Sequence, residues 1–343
     1  MRELKGKCKT FIELYSFFVI LYHFIYASGL LSWLGITIGG IHPAISVGLI
    51  LSILYLLFPY SKKTQQTGIP WYDWILAILC LIPTGYYALN YEMLLYSALT
   101  PTDFEVVLGV VMIILCIEGV RRAIGLPLVI CGLIFVIYPL VANSLPGILF
   151  AAPVKFRRLI GYIYLGSQGF FSAGAQVFST TIITFVIFGQ LIAISGGGDF
   201  FLNLSLSAMG GRNGGPAKAA TIGSGLFGMI SGVAVANVVT TGSITIPMMK
   251  RKGYSPEFAG AVETVASTGG ALMPPVMGAL AFIMADYMGV PYWQIASAAI
   301  IPAVLYYVAV YLQVSFYSSR HRLGGLSTEE IPAIKKVLAD GWP

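Results

Sequence analysis

Charged residues are scarce in this chain of 343 residues. Lys, Arg, Asp and Glu together make up 10% of the sequence, whereas 57% of the residues are hydrophobic and the mean hydropathy is +0.84. Soluble globular domains carry about 25% charged residues, so the composition excludes an ordinary soluble fold. The sequence therefore predicts an all-α polytopic membrane protein with lipid as its main solvent.

Cysteine is also rare, and the four cysteines do not have the spacing of a disulfide or metal-binding motif. Three of them lie in apolar runs, and Cys8 lies in the basic N-terminal tail. Without a CxxC pair or a Cys/His spacing, neither a disulfide framework nor a zinc site is expected. The chain also lacks an HExxH motif, a Ser/His/Asp spacing and an inward-facing carboxylate pair. These gaps argue against a membrane-embedded enzyme, and no organic cofactor is expected.

Acidic residues are outnumbered, with fourteen against twenty basic residues and a net charge of +6. The basic residues form short clusters between apolar runs. This pattern orients a membrane protein and is not the footprint of a nucleic-acid-binding protein. Lys62 and Lys63 follow the second apolar run, and Arg121 and Arg122 follow the fourth. By the positive-inside rule we expect a cytoplasmic N-terminus.

Most of the chain consists of long apolar runs with few charged residues. A bilayer core about 30 Å thick needs about 20 residues of apolar helix. An interfacial, partly helical segment is predicted at 146–175, where basic residues interrupt the apolar pattern. The first run shows no small-residue cleavage pattern, so we expect a retained span and not a signal peptide. About eight spans are predicted, at 14–33, 41–58, 71–89, 104–119, 125–144, 176–195, 256–287 and 295–316.

The segment 214–252 predicts a re-entrant helical hairpin. Gly228 and Gly232 interrupt its middle, and basic residues flank both of its ends, so both ends are expected on the cytoplasmic side. In the span that follows, paired glycines precede Pro274 and Pro275. Two prolines in a row disrupt the helical hydrogen-bond ladder, so this span is predicted to be a broken helix.

Two helix breaks close together in sequence suggest a binding site. Non-helical backbone at membrane depth is tolerated only where it is buried or lines a cavity. Half-helix ends and unwound carbonyl groups bind ions, and hard cations prefer oxygen ligands. Small and hydroxyl residues also serve ordinary helix packing, but two clusters that each contain a break favour a site. The clustered side-chain oxygens belong to Ser231, Asn237, Thr240, Thr241, Thr264, Ser267 and Thr268.

Few ionisable residues lie inside the predicted spans. Glu263 lies within the broken span and is a functional candidate, with pairing to a neighbouring span as the alternative. His23 is expected to bond a neighbouring helix and not to relay protons. Glu118 is expected to pair with the adjacent arginines, and Asp73 lies near a span end that water reaches. The GGGD run at 196–199 is expected to be a capping turn.

Residues 214–285 closely resemble the large membrane subunit, DctM, of TRAP transporters, which are tripartite, ATP-independent uptake systems. The stretch ETVASTGGALMPPVMG at 263–278 belongs to this long and specific block. The preceding aromatic-rich spans are similar to the small membrane subunit, fused ahead of the large one as in the TAXI subclass. The resemblance thus divides the chain into small-subunit-like scaffold spans at 1–123, connecting spans at 124–213, a first transport-core repeat at 214–322 and a cytoplasmic linker at 323–343.

The resemblance implies a sodium-coupled, elevator-type importer in a bacterial or archaeal inner membrane. Such a system receives an organic anion, for example a carboxylate, from a periplasmic solute-binding protein. Relatives usually carry a serine where Val233 stands and often a glutamine where Ala271 stands, so one side-chain ligand is either missing or not essential here. The implied cation-site residues are Ser231, Gly232, Asn237, Ser267, Thr268, Gly269 and Gly270, and the implied substrate-side residues are Thr240, Thr241, Met273, Pro274 and Pro275.

The transport core of this family is built from two inverted repeats, each with a hairpin and a broken helix. The sequence carries the first repeat only. We therefore expect a fragment whose partner is the missing second half of the permease and which does not transport alone. The alternative is a membrane scaffold or channel-like protein without transport coupling. Two adjacent helix breaks are more than a scaffold needs, so a transporter component is favoured.

Overall fold

The structure is a computed structural model that describes residues 2, 4–35, 38–61, 68–97, 100–166 and 168–341. All regular secondary structure in these ranges is helical, which confirms the predicted all-α class. The chain forms two compact units, the N-terminal unit Met1–Thr180 and the C-terminal unit Thr181–Pro343. Lys62 and Lys63, used above to predict the orientation, lie outside the described residues.

The N-terminal unit is built from six principal helices. Short helices also occur at Leu30–Trp33 and Tyr91–Ser97. The third principal helix has the predicted bounds, and the second, fourth and fifth lie within a few residues of theirs. The six helices are α1 Lys7–Ala27, α2 His42–Leu57, α3 Trp71–Leu89, α4 Asp103–Ala123, α5 Leu126–Val141 and α6 Phe156–Tyr164.

The first span differs from its prediction of 14–33. Helix α1 begins at Lys7 and ends at Ala27. Gly29 then adopts a left-handed φ of 73° and turns the backbone before the short helix begins at Leu30. A left-handed residue cannot continue a right-handed helix, and glycine adopts that conformation at no steric cost. Hydropathy continues through this turn, which is why the apolar run alone extends the span too far.

The region predicted as interfacial, 146–175, holds α6 and the start of the next helix. One side of α6 is buried, while Arg157 on the other side pairs with Asp103 at 2.7 Å. Helix α7, Ala173–Ile194, lies close to the predicted sixth span. It contains a π-helical turn at Phe178–Ile182, and the boundary between the two units falls within that turn.

The C-terminal unit contains the predicted hairpin and the predicted broken helix. Gly196, with φ of 91°, caps the start of the first helix after α7. The predicted capping turn at 196–199 is thus confirmed at Gly196 only, because residues 197–199 already belong to that helix. The last long helix is longer at both ends than its prediction of 295–316. The helices are α8 Gly197–Met209, α9 Gly215–Ser231, α10 Ala234–Arg251, α11 Pro256–Gly269, α12 Ala279–Met288, α13 Tyr292–Arg320 and α14 Ile334–Gly341.

Several helices have the length and composition of membrane spans. Large apolar side chains on their surfaces, such as Phe17, Phe135 and Leu305, are exposed as lipid contact requires. His42–Leu57 and Ala279–Met288 are apolar but shorter. The predicted number of eight spans stays a prediction. Five described helices are long and apolar enough to cross a membrane: Lys7–Ala27, Trp71–Leu89, Leu126–Ser144, Ala173–Ile194 and Tyr292–Arg320.

A buried ion-pair network connects the N-terminal tail to α3 and α4. Asp73 is fully buried and accepts hydrogen bonds from Arg2 and, at 2.6 Å, from Arg122. Arg122 also pairs with Glu118 at 2.8 Å, and Glu118 pairs in turn with Arg121. The predicted pairing of Glu118 is therefore confirmed. The water-accessible position expected for Asp73 is wrong, because two guanidinium groups supply the charge-assisted partners that its burial requires.

Candidate functional site

The hairpin tip is a break between two helices. Helix α9 ends at Ser231, Gly232 adopts a left-handed φ of 60°, Val233 is extended, and α10 begins at Ala234. A Cβ on Gly232 would collide with the backbone oxygen of Met277, so both the conformation and the space require glycine. The predicted half-helices are therefore produced by one left-handed residue at the tip.

The second break follows α11. After Gly269 the chain makes a short 3-10 turn at Gly270–Leu272 and passes through turns at 273–278 before α12 begins at Ala279. The two prolines of these turns carry no N–H, so the helical ladder cannot continue through them. The broken helix predicted at 256–287 is therefore present as α11 and α12.

The two breaks contact each other through their backbones. The N–H of Val276 donates to the carbonyl oxygen of Met229 at 3.1 Å. A Cβ built on Gly228 would lie 2.6 Å from the Cα of Gly270. No side chain other than hydrogen fits between the two chains at this point. The hairpin and the broken helix are therefore joined at the level of their main chains.

Glu263 on α11 is the centre of a buried polar cluster. The side chain has no exposed surface. Its Oε1 accepts hydrogen bonds from the hydroxyl groups of Ser224 and Thr241, both at 2.5 Å, and of Ser267 at 3.2 Å. Its Oε2 accepts a hydrogen bond from the Thr245 hydroxyl at 2.5 Å. Helices α9, α10 and α11 thus converge on one carboxyl group.

The partners of Glu263 are hydroxyl groups and not cations. Among the described residues, no Lys, Arg or His forms an ion pair with it. Pairing with a neighbouring helix was the predicted alternative for Glu263. The structure shows such pairing with neutral hydroxyl donors on α9 and α10. Leaving a buried charge without a partner is expensive, and four donated hydrogen bonds offset part of that cost.

Asn237 extends the cluster toward the hairpin tip. It is fully buried, one helical turn from the start of α10. Its Nδ2 donates to the backbone oxygen of Ser224 at 2.8 Å, and its Oδ1 lies 3.1 Å from the Thr241 hydroxyl oxygen. Nδ2 also lies beside the position that a Cβ on Gly228 would occupy. The amide therefore holds α9 and α10 together close to their shared break.

The other predicted side-chain ligands lie in different surroundings. Ser231 is buried, and its Oγ has no hydrogen-bond partner within the described part of the chain. Thr268 is exposed, and its hydroxyl donates to the backbone of Thr264 in its own helix. The Thr240 hydroxyl likewise bonds its own helix, and its methyl group faces Gly198 on α8. Ser231 therefore belongs to the break, whereas the hydroxyl groups of Thr240 and Thr268 bond the backbone of their own helices.

The loop residues predicted for the substrate side lie at the second break. Met273 and Pro274 are half-buried and Pro275 is exposed. A Cβ on Gly269 would strike the ring of Tyr306, so the packing there requires glycine, and its predicted part in a cation site stays a prediction. The structure thus brings these residues to the same loop as the contact between the two breaks.

Ser224 and Thr245 are cluster members that the sequence interpretation missed. For Thr245 a signal was present, since Asn237, Thr241 and Thr245 follow each other at intervals of four residues and so share one face of α10. Ser224 lies on the small-residue face of α9. A serine on such a face can serve either helix packing or hydrogen bonding, and the sequence pattern is the same in both cases. Only the three-dimensional arrangement separates the two roles.

The candidate site can offer oxygen ligands of low charge. Within the described residues, no three His, Cys, Asp or Glu side chains gather as a metal-binding group. The Oγ of Ser231, which has no partner among the described residues, and the carbonyl groups at the ends of half-helices are neutral oxygens, and Glu263 is the acidic group of the neighbouring cluster on α9, α10 and α11. This donor set suits a hard monovalent cation better than a transition metal.

Half-helices that meet a broken helix, within a set of apolar helices of membrane-spanning length, are the architecture of a membrane transporter core. The sequence model of the family described as "Tripartite ATP-independent periplasmic transporter, DctM component" matches residues 110–343. The chain belongs to this family. The match confirms the resemblance to a DctM-like large subunit, and the protein is an integral inner-membrane protein.

Individual relatives match shorter parts of the chain. It is 26% identical over 159 residues to the uncharacterized protein YgiK of Salmonella typhimurium, an alignment that spans 46% of this chain and 36% of the relative. It is 34% identical over 110 residues to the C4-dicarboxylate TRAP transporter large permease protein DctM of Vibrio cholerae, with 32% of this chain and 24% of the relative covered. The isethionate TRAP transporter permease protein DctMQ of Oleidesulfovibrio alaskensis is 31% identical over 160 residues, with 46% and 22% covered. The alignments thus span well under half of these relatives.

Proposed function

We propose that the chain is the membrane permease component of a sodium-coupled secondary transporter that depends on a periplasmic solute-binding protein and imports an organic anion. The observation that carries the proposal is the contact between the two breaks, where Gly228 and Gly270 touch and the buried Ser231 hydroxyl has no hydrogen-bond partner among the residues that the structure describes. A small cation supplies such a hydroxyl oxygen with a partner. The breaks supply backbone oxygens around it.

The nature of the substrate follows from the relatives. Two of them are named for C4-dicarboxylate and for isethionate, and both of these are small organic anions. A hairpin of half-helices supports the same choice, because helix N-termini present free N–H donors to anionic groups. We propose a carboxylate or a related small anion as the transported species, with the loop 273–278 on its binding side.

The proposal includes the arrangement of the whole system. The N-terminus is cytoplasmic, and the hairpin at 214–252 is re-entrant with both ends on the cytoplasmic side. The first spans act as a fused small-subunit-like scaffold of the TAXI type. Transport requires both inverted repeats of such a permease, together with the binding protein.

The test is uptake of a labelled organic anion into liposomes that contain the permease with both inverted repeats, with the binding protein outside. We expect uptake that requires both an inward sodium gradient and the binding protein. Ser231→Ala should raise the sodium concentration for half-maximal uptake about tenfold, since losing one neutral ligand is worth about 1.4 kcal/mol.

The matched control is Ser243→Ala. Ser243 is exposed on α10, and its hydroxyl bonds only the backbone of its own helix, so this variant should keep the sodium dependence of the unmodified protein. Uptake driven without sodium, or identical sodium curves for the two serine variants, would reject the proposed ion site. Uptake that does not need the binding protein would reject the proposed class of system.

A further inference from the structure

His23 on α1 and His42 at the start of α2 meet in the interior of the N-terminal unit. His42 has no exposed surface and His23 is 2% exposed, and their ring centroids lie 5.6 Å apart. The hydroxyl of Ser46 lies 3.0 Å from Nε2 of His23 and 3.5 Å from Nε2 of His42. The ring of Tyr26 stacks on His42 at 3.5 Å. This cluster takes no part in the candidate transport site.

Two carbonyl groups determine which nitrogen of each ring carries a hydrogen. Nδ1 of His23 lies 2.8 Å from the backbone oxygen of Val19, and Nε2 of His42 lies 3.1 Å from the backbone oxygen of Ser179. A carbonyl oxygen can only accept, so both of these nitrogens donate. In neutral rings, Nε2 of His23 and Nδ1 of His42 are therefore acceptors. The two histidines are opposite tautomers.

The remaining contacts complete a chain of hydrogen bonds with one direction. The Tyr22 hydroxyl donates to Nδ1 of His42 at 2.7 Å. The Ser46 hydroxyl donates to Nε2 of His23 and accepts the longer second contact from Nε2 of His42. The chain begins at the half-buried Tyr22 and ends at the Val19 carbonyl. A carbonyl cannot pass a proton on, so this chain can load a proton but cannot conduct one further.

Within the described residues, no charged side chain contacts either ring. The polar groups that face them are Tyr22 and Tyr26 from α1, Ser46 from α2, and the Ser179 backbone from α7. None of the contacts recorded for the rings within the described residues involves Asp, Glu, Lys or Arg. When one ring gains a proton, the hydroxyl group that donated to that ring can rotate and accept a hydrogen bond from it instead. Two added protons would place adjacent like charges in a buried site, which is disfavoured.

We propose that His23 and His42 form a binding site for a single proton that enters through Tyr22. A proton from water binds the Tyr22 oxygen while the original hydroxyl proton moves to Nδ1 of His42. Onward transfer moves the Nε2 proton of His42 to Ser46 and the Ser46 proton to Nε2 of His23. Every step breaks one N–H or O–H bond and forms another, and the loaded pair carries one positive charge.

Protonation of the histidine pair also affects the π-helical turn Phe178–Ile182. When His42 carries the charge, its Nε2–H bond to Ser179 becomes charge-assisted, and such bonds are shorter and roughly twice as strong as neutral ones. Proton uptake therefore tightens α2 against the turn. This effect is independent of the proposed sodium-coupled transport and would hold even if that proposal failed.

The test is nitrogen-15 NMR of the full chain in micelles, with only histidine labelled. The chain has three histidines, and the exposed His321, which lies outside the pair, supplies a separate reference signal. At about pH 8 we expect His23 as the Nδ1–H tautomer and His42 as the Nε2–H tautomer. On acidification, the two buried rings should share one proton, and Ser46→Ala should uncouple their responses.

Three results would overturn the site: the opposite tautomer in either neutral ring, independent uptake of two protons, or no uptake before the protein unfolds. The variant His321→Gln should leave both buried signals unchanged. Tightening is tested by amide exchange across 178–182, compared at each pH between the unmodified chain and His42→Gln. The protection ratio should rise at least about threefold on acidification, and a constant ratio would refute the link to the turn.

Discussion

Replacing Gly228 by Ala tests the backbone contact between the two breaks. The new Cβ would lie 2.6 Å from the Cα of Gly270 and 3.1 Å from Nδ2 of Asn237. Carbon atoms in contact normally lie about 3.5–4.0 Å apart, so the main chains must separate by about 1 Å. A side-chain rotation cannot relieve this clash, because the Gly270 Cα that the new Cβ strikes is a backbone atom. Overpacking of this kind destabilises by about 1–3 kcal/mol.

The control variant removes the effect of helix propensity. Gly260 also lies within a helix, and a Cβ on it would meet nothing within 4 Å. Gly260→Ala should therefore stabilise by about 0.5–1 kcal/mol, since alanine loses less backbone entropy than glycine on folding. Both variants gain this term, so the difference between their free energies of unfolding isolates the steric term.

The assay is unfolding of each variant in mixed micelles by titration with a denaturing detergent. We expect Gly228→Ala to be less stable than Gly260→Ala by about 1–3 kcal/mol. The reasoning is refuted if the two variants have the same stability, because the breaks would then not touch in solution. The double variant with Gly270→Ala supplies a further check, since residues in contact give non-additive effects.

Three further changes test other parts of the structure. Glu263→Ala removes the acceptor of four hydroxyl groups and should lower the free energy of unfolding by at least about 3 kcal/mol. Glu263→Gln keeps one acceptor oxygen, so its loss of unfolding free energy in the same detergent titration should be clearly smaller. Equal losses in the two variants would contradict the cluster. Asp73→Asn removes the charge shared by two buried arginines and should cost about 3–5 kcal/mol, against at most about 1 kcal/mol for the exposed control Glu13→Gln. The Lys252 ammonium group, with hydrogen bonds from the nearby serine, lowers the pKa of Glu330 to about 2, so this contact is fully present above the ordinary carboxyl pKa of about 4.5 and is lost as the pH falls toward 2. The protection of the amides at 327–341, measured as the ratio of the intrinsic to the observed exchange rate at each pH, should fall over that window in the unmodified chain and stay constant in Glu330→Gln.

The sequence predicts the fold best where one local signal dominates. Helix α3 begins and ends as predicted because Pro70 precedes it and a polar Asn90 follows its apolar run. The hairpin tip and the broken helix were predicted from glycine and proline, whose backbone chemistry acts locally. The end of α1 was predicted wrongly, because Gly29 interrupts the helix without interrupting the hydropathy.

Side-chain partners are predicted less well, because they depend on distant parts of the chain. The burial of Asp73 needs Arg2 and Arg122, which lie 71 and 49 residues away. The role of Ser224 depends in the same way on Glu263, 39 residues further along. Periodicity identifies the face of a helix on which a residue lies, but it does not identify the group that faces it across the interface.

The main-chain contact between Gly228 and Gly270 has a mechanical consequence. Where two elements touch through side chains, one can move while rotamers adjust, and the other need not follow. Where they touch through backbone, with the Val276 N–H bonded to Met229, no such adjustment is possible. We therefore expect the tip of the hairpin and the loop at 273–278 to move as one rigid part.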